Sequence, residues 1–102
     1  MKLLIWIDKS KINTQNKVPL LFRITIDGKR INVNTTVKLA IDEWDQSRQK
    51  VKGNSDISKS ANKTIDTLKQ KAVLAYEELL RLNKPISVDT LLSKLQGKMN
   101  LR

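Results

Sequence analysis

Cysteine and histidine are absent from the 102 residues of this sequence. Without cysteine there is no disulfide bond and no thiolate metal site, and without histidine the usual general base and metal ligand are missing. Glycine occurs only three times, and no glycine-rich loop of the kind that cradles phosphate groups is present. These absences exclude most catalytic chemistry, so we expect a binding module that has no enzymatic activity and needs no cofactor.

Long apolar runs are also missing, since no stretch approaches the roughly 18 residues of a membrane-spanning helix. The opening segment MKLLIWID is apolar only as far as Asp8. It lacks the length of a signal peptide's apolar region and any small-residue cleavage site. We therefore expect a cytoplasmic protein with no membrane partner.

Carboxylates gather in one short segment only, at Asp42, Glu43 and Asp45. No second acidic cluster completes a set of oxygen ligands, so we expect acids of a short helical turn and no metal site. Tyr76 could be a nucleophile, but it lies on an apolar helical stripe and is expected in the core.

Positive charge dominates the remaining composition: 20 lysines and arginines face 10 acidic residues, which gives a net charge of +10. The excess is densest in residues 1–40, which hold eight basic residues and two acidic ones. Such an imbalance describes the partners of a protein more than its fold. It favours a polyanion: DNA, RNA or an acidic membrane surface.

Three segments have the composition and alternation of β-strands, namely residues 2–8, 20–26 and 29–37. Asp27 and Gly28 join the second segment to the third. This pair predicts a two-residue type I′ turn, because both positions of that turn need a positive φ.

The turn fixes the register of the hairpin, and residues that oppose each other share a face of the sheet. The apolar face is predicted to hold Phe22, Ile24, Ile31 and Val33. The polar face is predicted to hold Arg23, Thr25, Arg30, Asn32 and Asn34. No acidic residue falls on the polar face.

Apolar residues recur every three or four positions through residues 56–82, which predicts one long helix. The stripe consists of Ala61, Ile65, Leu68, Ala72, Tyr76 and Leu79. Ser55 or Asn54 can cap its start, and a shorter helix is expected from Ser87 to a stop at Gly97. The predicted fold class is α+β: a three-stranded antiparallel sheet packed against one long α-helix, plus a short C-terminal helix.

Each tryptophan has its own interpretation. Trp44 precedes a basic, polar connection that ends at Gly53, and we expect its indole to close one end of the core. Trp6 alternates with Ile5 and Ile7, which places it on the polar face. There it either stacks on a sugar or base, or packs beside the aliphatic stems of lysine and arginine.

Two interpretations fit the polar face. Half of a single-layer antiparallel sheet normally faces water, which explains its polarity. Solvation does not explain the choice of arginine and asparagine without any acid, since these residues pair with guanine edges, adenine edges and phosphates. A ribbon of two or three strands also fits a major groove, so we favour a DNA-binding surface. Few aromatic residues are available for stacking, which argues against single-stranded or RNA ligands.

The candidate DNA contacts form three groups by the role expected of them. The residues expected at base edges are Arg23, Arg30 and Asn32. The residues expected to support them are Thr25, Asn34 and Trp6. The residues expected at phosphates are Lys9, Lys11 and Lys29.

One series of residues has an order and spacing of its own: Pro19, Arg23, Asp27, Gly28, Lys29, Arg30, Thr36, Glu43, Trp44, Asp45 and Gly53. With the long helix that follows, it resembles the N-terminal arm-type DNA-binding domain of tyrosine recombinases. These form the phage integrase family, and the resemblance is greatest to integrases of conjugative transposons and related mobile elements. Two positions depart from the pattern: Ile41 stands where proline is common, and Asn16 where glycine is frequent.

The resemblance implies sequence-specific binding of double-stranded DNA, with the sheet laid in the major groove of arm sites. It also implies a parent tyrosine recombinase whose catalytic tyrosine, arginine and histidine belong to a C-terminal domain that this chain lacks. Residues 1–84 would be the arm-type domain, and residues 85–102 would lead toward the core-binding and catalytic part. Other integrase protomers or accessory proteins would be partners, in a bacterial cytoplasm and at the nucleoid when DNA is bound.

An alternative function comes from the short C-terminal helix. Its apolar stripe consists of Val88, Leu91, Leu92 and Leu95. A stripe at the end of a chain either folds back on the core or docks elsewhere. In the second case the chain would be a protein–protein interaction module.

Overall fold

The main sheet of the protein has three antiparallel strands in the order β1–β2–β3. In the computed structural model, which describes residues 1–96, β1 is Lys2–Ile7, β2 is Val18–Ile26 and β3 is Lys29–Leu39. The three predicted strands are confirmed, with β2 and β3 each extended beyond the expected bounds at the end away from their shared turn. No helix within the described residues is long and apolar enough to cross a membrane.

The turn between β2 and β3 has the predicted conformation, with φ of 51° at Asp27 and 79° at Gly28. The register that follows from it is also confirmed, because Arg23 pairs with Asn32 and Ile24 with Ile31. Every second residue of β2 is therefore buried, and the residues between are half-buried on the opposite side.

A bulge interrupts the pairing of β2 and β3 between Pro19 and Leu21. On the β3 side Thr36 has a φ of 67°, and its N–H donates to Asn34 Oδ1 at 2.8 Å. The buried Thr35 hydroxyl donates to the carbonyl of Leu20, which lies at the bulge, at 2.8 Å. Pro19, which has no N–H to give to a ladder, lies near the start of β2, and its carbonyl accepts from the N–H of Asp8 just beyond the end of β1.

The long helix α1 is Asp56–Arg81, and Ser55 is its cap, because Ser55 Oγ accepts from the N–H of Ser58 at 3.1 Å. At the other end Asn83 has a φ of 58°, and the N–H of Lys84 donates to the carbonyl of Leu79 at 3.0 Å. This left-handed residue with its backward hydrogen bond is a Schellman ending, which stops the helix.

The core lies between the inner side of the sheet and α1. From α1 it receives the buried residues Ala61, Ile65, Ala72, Ala75 and Leu79. Leu68 and Tyr76 pack against this cluster from partly buried positions, so the predicted helical stripe is confirmed and Tyr76 is a core residue. From β2 the core receives Phe22 and Ile24, both fully buried.

The short helix α2 is Val88–Gln96, and it folds back on the same core through Val88 and Leu91. Ser87 caps it as expected, since its hydroxyl accepts from the N–H of Thr90 at 3.2 Å. An ion pair between Lys94 and Glu78 joins the helix to α1. The stripe considered as a docking surface is thus largely used inside the fold, and the stop expected at Gly97 lies outside the described residues.

The segment expected to be a polar connection holds a second, small sheet. Its strands are β4, Trp44–Asp45, and β5, Lys50–Val51. The helical turn expected just before it is present only over Ile41–Glu43. Trp44 is buried, as predicted, and Val51 is buried beside it in the core cluster.

Gln49, in the turn of this small hairpin, holds the free edge of β1. Its Oε1 accepts from the N–H of Ile5 at 2.6 Å, and its Nε2 donates to the carbonyl of Ile5 at 2.8 Å. One side-chain amide therefore satisfies both edge groups of a residue whose side chain is fully buried. An exposed strand edge can pair with strands of other chains. The contact with Gln49 blocks such pairing at Ile5.

We expect Gln49→Ala to lower the free energy of unfolding by about 1–3 kcal/mol, the cost of leaving a buried backbone N–H without a partner. Alanine keeps the Cβ, so the backbone at this position, with φ 57°, has the same strain in both proteins. Urea denaturation measures the loss. Gln70→Ala, on the exposed side of α1, is the matched control, and an equal loss in both variants would contradict the role of the edge contact.

Candidate nucleic-acid interface

The side of the sheet that faces away from α1, called here the outer face, presents nine residues in three rows across the strands. The rows are Lys2–Thr25–Arg30, Leu4–Arg23–Asn32 and Trp6–Leu21–Asn34. All five residues predicted on the polar face, and Trp6, are brought together there by strand pairing. The alternation of β2 and β3 that buries the core thus also builds this surface.

Three predicted site residues meet at the centre of the outer face, one from each strand. Trp6 Nε1 donates to Asn32 Oδ1 at 3.1 Å, and Arg23 Nε donates to the same oxygen at 3.4 Å. The Arg23 guanidinium carbon lies 4.7 Å from the centroid of the Trp6 ring. Trp6 therefore packs beside an arginine, which is one of its two interpretations, through a cation–π contact. Its stacking on a sugar or base stays a prediction.

The row at the end nearest the turn carries most of the free charge. Arg30 is exposed beside the half-buried Thr25, and Lys2 is exposed on the other side of Thr25. A shallow groove of about 650 Å³ lies over this end of the sheet. Within residues 1–96 the only ion pairs are Arg48–Asp45 and Lys94–Glu78, so no carboxylate lies within 4.0 Å of the outer-face cations.

The outer face also contains two apolar residues that are not among the predicted site residues. Leu4 is exposed at the edge strand opposite Arg23, and Leu21 is half-buried between Trp6 and Asn34. The register that follows from the Asp27-Gly28 turn would have placed Leu21 here. Leu21 stands in an apolar run between the core residues Leu20 and Phe22, so its residue type alone does not indicate the outer face.

Asn34 belongs to the outer face, but its side chain already has a structural contact. Its Oδ1 accepts from the N–H of Thr36 and stabilises the bulge. Lys29 pairs with Ile26, a core residue, so the register assigns it to the helix side of the sheet at the exposed end of the hairpin. The structure therefore does not bring Lys29 into the outer face.

Lys9 and Lys11 are exposed on a single 3-10 turn that follows β1. Asp8 caps this turn, because its Oδ1 accepts from both the N–H and the hydroxyl of Ser10. The hydroxyl bond is the main cause that lowers the pKa of Asp8, and the Ser10 N–H and the charge of Lys11 act in the same direction. The cap thus fixes the backbone from which two lysines project.

We expect the Asp8 cap to be lost only in acid. Because the folded-state pKa of Asp8 lies below its unfolded value, its contribution is complete above the unfolded pKa and disappears as the pH falls through the folded one. An NMR titration should give one midpoint for the Asp8 carboxyl carbon and the Ser10 amide, below the usual aspartate pKa. Ser10→Ala removes the hydroxyl and should raise that midpoint; an unchanged midpoint would refute the assignment.

Comparison with known protein families gives a match over most of the chain. The family model described as an arm DNA-binding domain matches residues 5–92. No curated protein and no solved structure matches the chain. The matched range begins within β1, ends within α2 and includes all of β2, β3 and α1.

Proposed function

The chain belongs to the arm DNA-binding domain family of phage integrases and other tyrosine recombinases, and from this premise we propose that its outer face reads double-stranded DNA in the major groove. An arm DNA-binding domain is non-catalytic on its own, so the role of the chain is to bind and position DNA. Three features of this binding are proposed below: the surface that binds, its position on the duplex and the residues that recognise the sequence.

The observation that carries the proposal is an acid-free, three-strand surface whose cations have no carboxylate within 4.0 Å among residues 1–96. Neighbouring strands lie about 4.8 Å apart, so three strands span roughly 10 Å between the outer backbones. A major groove is about 12 Å wide and admits such a ribbon. Lys2, Arg23 and Arg30 would then face a surface of high negative potential, and no carboxylate in the described part of the chain pairs with them.

Arg23 and Arg30 are the proposed base-reading residues, because a guanidinium donates two parallel bonds to guanine O6 and N7. Asn32 has a narrower role. Its Oδ1 accepts from Trp6 and Arg23, which leaves Nδ2 as the group it offers to a ligand. In this arrangement Asn32 is a donor to purine N7, guanine O6 or a phosphate, and it does not make the two-bond contact with adenine.

The remaining outer-face residues would assist base recognition by the arginines. Thr25 and Asn34 lie beside the arginines, and Leu4 and Leu21 offer apolar contact for thymine methyl groups. We propose that Lys9, Lys11 and Lys29 bind phosphates at the ends of the sheet. Such contacts position a protein on the duplex without reading its sequence.

We further propose that the chain is part of a longer recombinase of a mobile element. In that protein, residues 85–102 would connect the arm-type domain, residues 1–84, to a core-binding and catalytic part that carries the tyrosine nucleophile. Bound arm domains would cooperate with other protomers or accessory proteins at the bacterial nucleoid. The family membership supports this proposal, since arm-type domains occur in integrases.

Titration of isotope-labelled protein with a duplex selected from random sequences should map the surface. We expect amide shifts to concentrate at residues 6–11, 23–25 and 29–34 at the first equivalent of DNA, because these segments carry the proposed contacts. A duplex of scrambled sequence is the control. It should give smaller shifts, and a higher DNA concentration should be needed to reach them. Shifts at the first equivalent that spare the outer face and fall on α1 would exclude the proposal.

Substitution should separate base reading from phosphate binding. Arg30→Ala is expected to reduce discrimination at one base pair by about 1–3 kcal/mol, the value of one two-bond contact. Lys11→Ala is expected to weaken all sequences alike and to reduce the log–log salt slope by about 0.9, the value for one phosphate. Binding measured over a series of salt concentrations and single-base variants gives both quantities; equal effects of the two substitutions would contradict the assigned roles.

A further inference from the structure

A second concentration of positive charge lies on the helix side of the molecule. A cleft of about 590 Å³, called here the β4–β5 cleft, separates the small hairpin from the first half of α1. Its basic lining residues are Arg48, Lys50, Lys52, Lys59 and Lys63. All five are exposed, and none of them belongs to the rows of the outer face.

The two walls of this cleft are held together by hydrogen bonds. The side-chain amide of Asn62 on α1 accepts from the N–H of Val51 at 2.8 Å and donates to its carbonyl at 3.1 Å. Ser58 Oγ donates to the carbonyl of Lys52 at 2.9 Å. The lysines therefore project from backbone that is fixed on both sides of the cleft.

The spacing of the lysines is regular along each wall. Lys59 and Lys63 are four residues apart on α1, which is about 6 Å along the helix axis. Lys50 and Lys52 are two residues apart in extended chain, about 7 Å, and both flank Val51, whose side chain is buried. Two such rows suit a linear polyanion whose charges repeat along its length.

The charge of the cleft is only partly neutralised within the protein. Asp45 is within 3.8 Å of Arg48 and is its only carboxylate partner among residues 1–96. Asp66 also lines the cleft, but no lysine of the cleft has a carboxylate within 4.0 Å in that range. Like charges gathered in this way repel each other, and a bound anion would relieve the repulsion.

We propose that the β4–β5 cleft is a second DNA-binding site that takes the phosphodiester backbone and reads no sequence. The sheet and the core separate it from the outer face, since Trp44 and Val51 of the hairpin pack on the inner side of the sheet. Its ligand is therefore either a more distant stretch of the duplex held by the outer face or a second duplex. The proposal does not depend on which residues of the outer face contact bases.

The test compares two double variants with the same loss of charge on the same helix. Lys59→Gln/Lys63→Gln alters the cleft, and Lys69→Gln/Lys71→Gln is the matched control, remote from it in the helix. We expect the cleft variant to lose about 0.9 of log–log salt slope per lysine that meets a phosphate, and the control to lose none beyond the effect of net charge. Equal slopes in the two variants would overturn the proposal.

Two arms of the experiment distinguish the source of the backbone. In the first arm, the cleft binds the same duplex as the outer face. The difference in salt slope between the two variants then appears in a one-to-one complex with a long duplex and vanishes with a duplex trimmed to about one helical turn. If the source is a second duplex, wild-type protein takes up a second equivalent, detected by energy transfer between two labelled duplexes, and the cleft variant does not. Either result supports the proposal.

Amide shifts of the wild-type protein give an independent check that needs no variant. DNA should shift residues 50–53 and 59–63, with the outer face as an internal reference. The site would be refuted if these amides stayed unchanged when the protein is saturated with the long duplex and then with a second equivalent of duplex. Displacement of DNA from the cleft by a structured RNA at lower concentration than by competing duplex would refute DNA as its ligand.

Discussion

The Asp27-Gly28 turn is the constraint on which the rest of the molecule depends. Its two positive φ values allow a connection of only two residues, and the length of that connection sets which residues of β2 and β3 oppose each other. A slip of one residue would move Phe22 and Ile24 from the core into water, at a cost of about 1.5–3 kcal/mol for each. The same slip would bury Arg23, so stability and the composition of the outer face are decided together.

The sequence predicts the elements whose signals are periodic and local. The three strands, the turn, the α1 stripe and the Ser55 cap each follow from residues that are close along the chain. Asn16 in the first loop has a φ of 66°, which asparagine tolerates better than most residues.

The β4–β5 hairpin could not be predicted in this way, because strands of two residues have no measurable alternation. The main contact of this region joins Gln49 to Ile5, which are 44 positions apart in the chain. It is made by a side chain whose residue type carries no strand signal, so no local pattern predicts it. Asn34 is a similar case. Its contact with Thr36 depends on a bulge and on a β-branched residue at positive φ, and neither is visible as a pattern.

The Trp6–Arg23–Asn32 cluster shows how a correctly predicted face of the sheet can still leave the chemistry of its side chains undetermined. Sequence places all three on one face but does not reveal that they bond to one another. If DNA binds the outer face as proposed, the bonds already restrain Arg23 and Asn32, and part of the ordering cost of about 0.5–1.5 kcal/mol per side chain is met during folding. The bonds also remove an acceptor, since Asn32 Oδ1 is occupied, and this shifts the centre of the outer face toward donors alone. Under the proposed function, a surface of donors and cations would prefer guanine edges and phosphates, and adenine recognition by Asn32 would require the cluster to open.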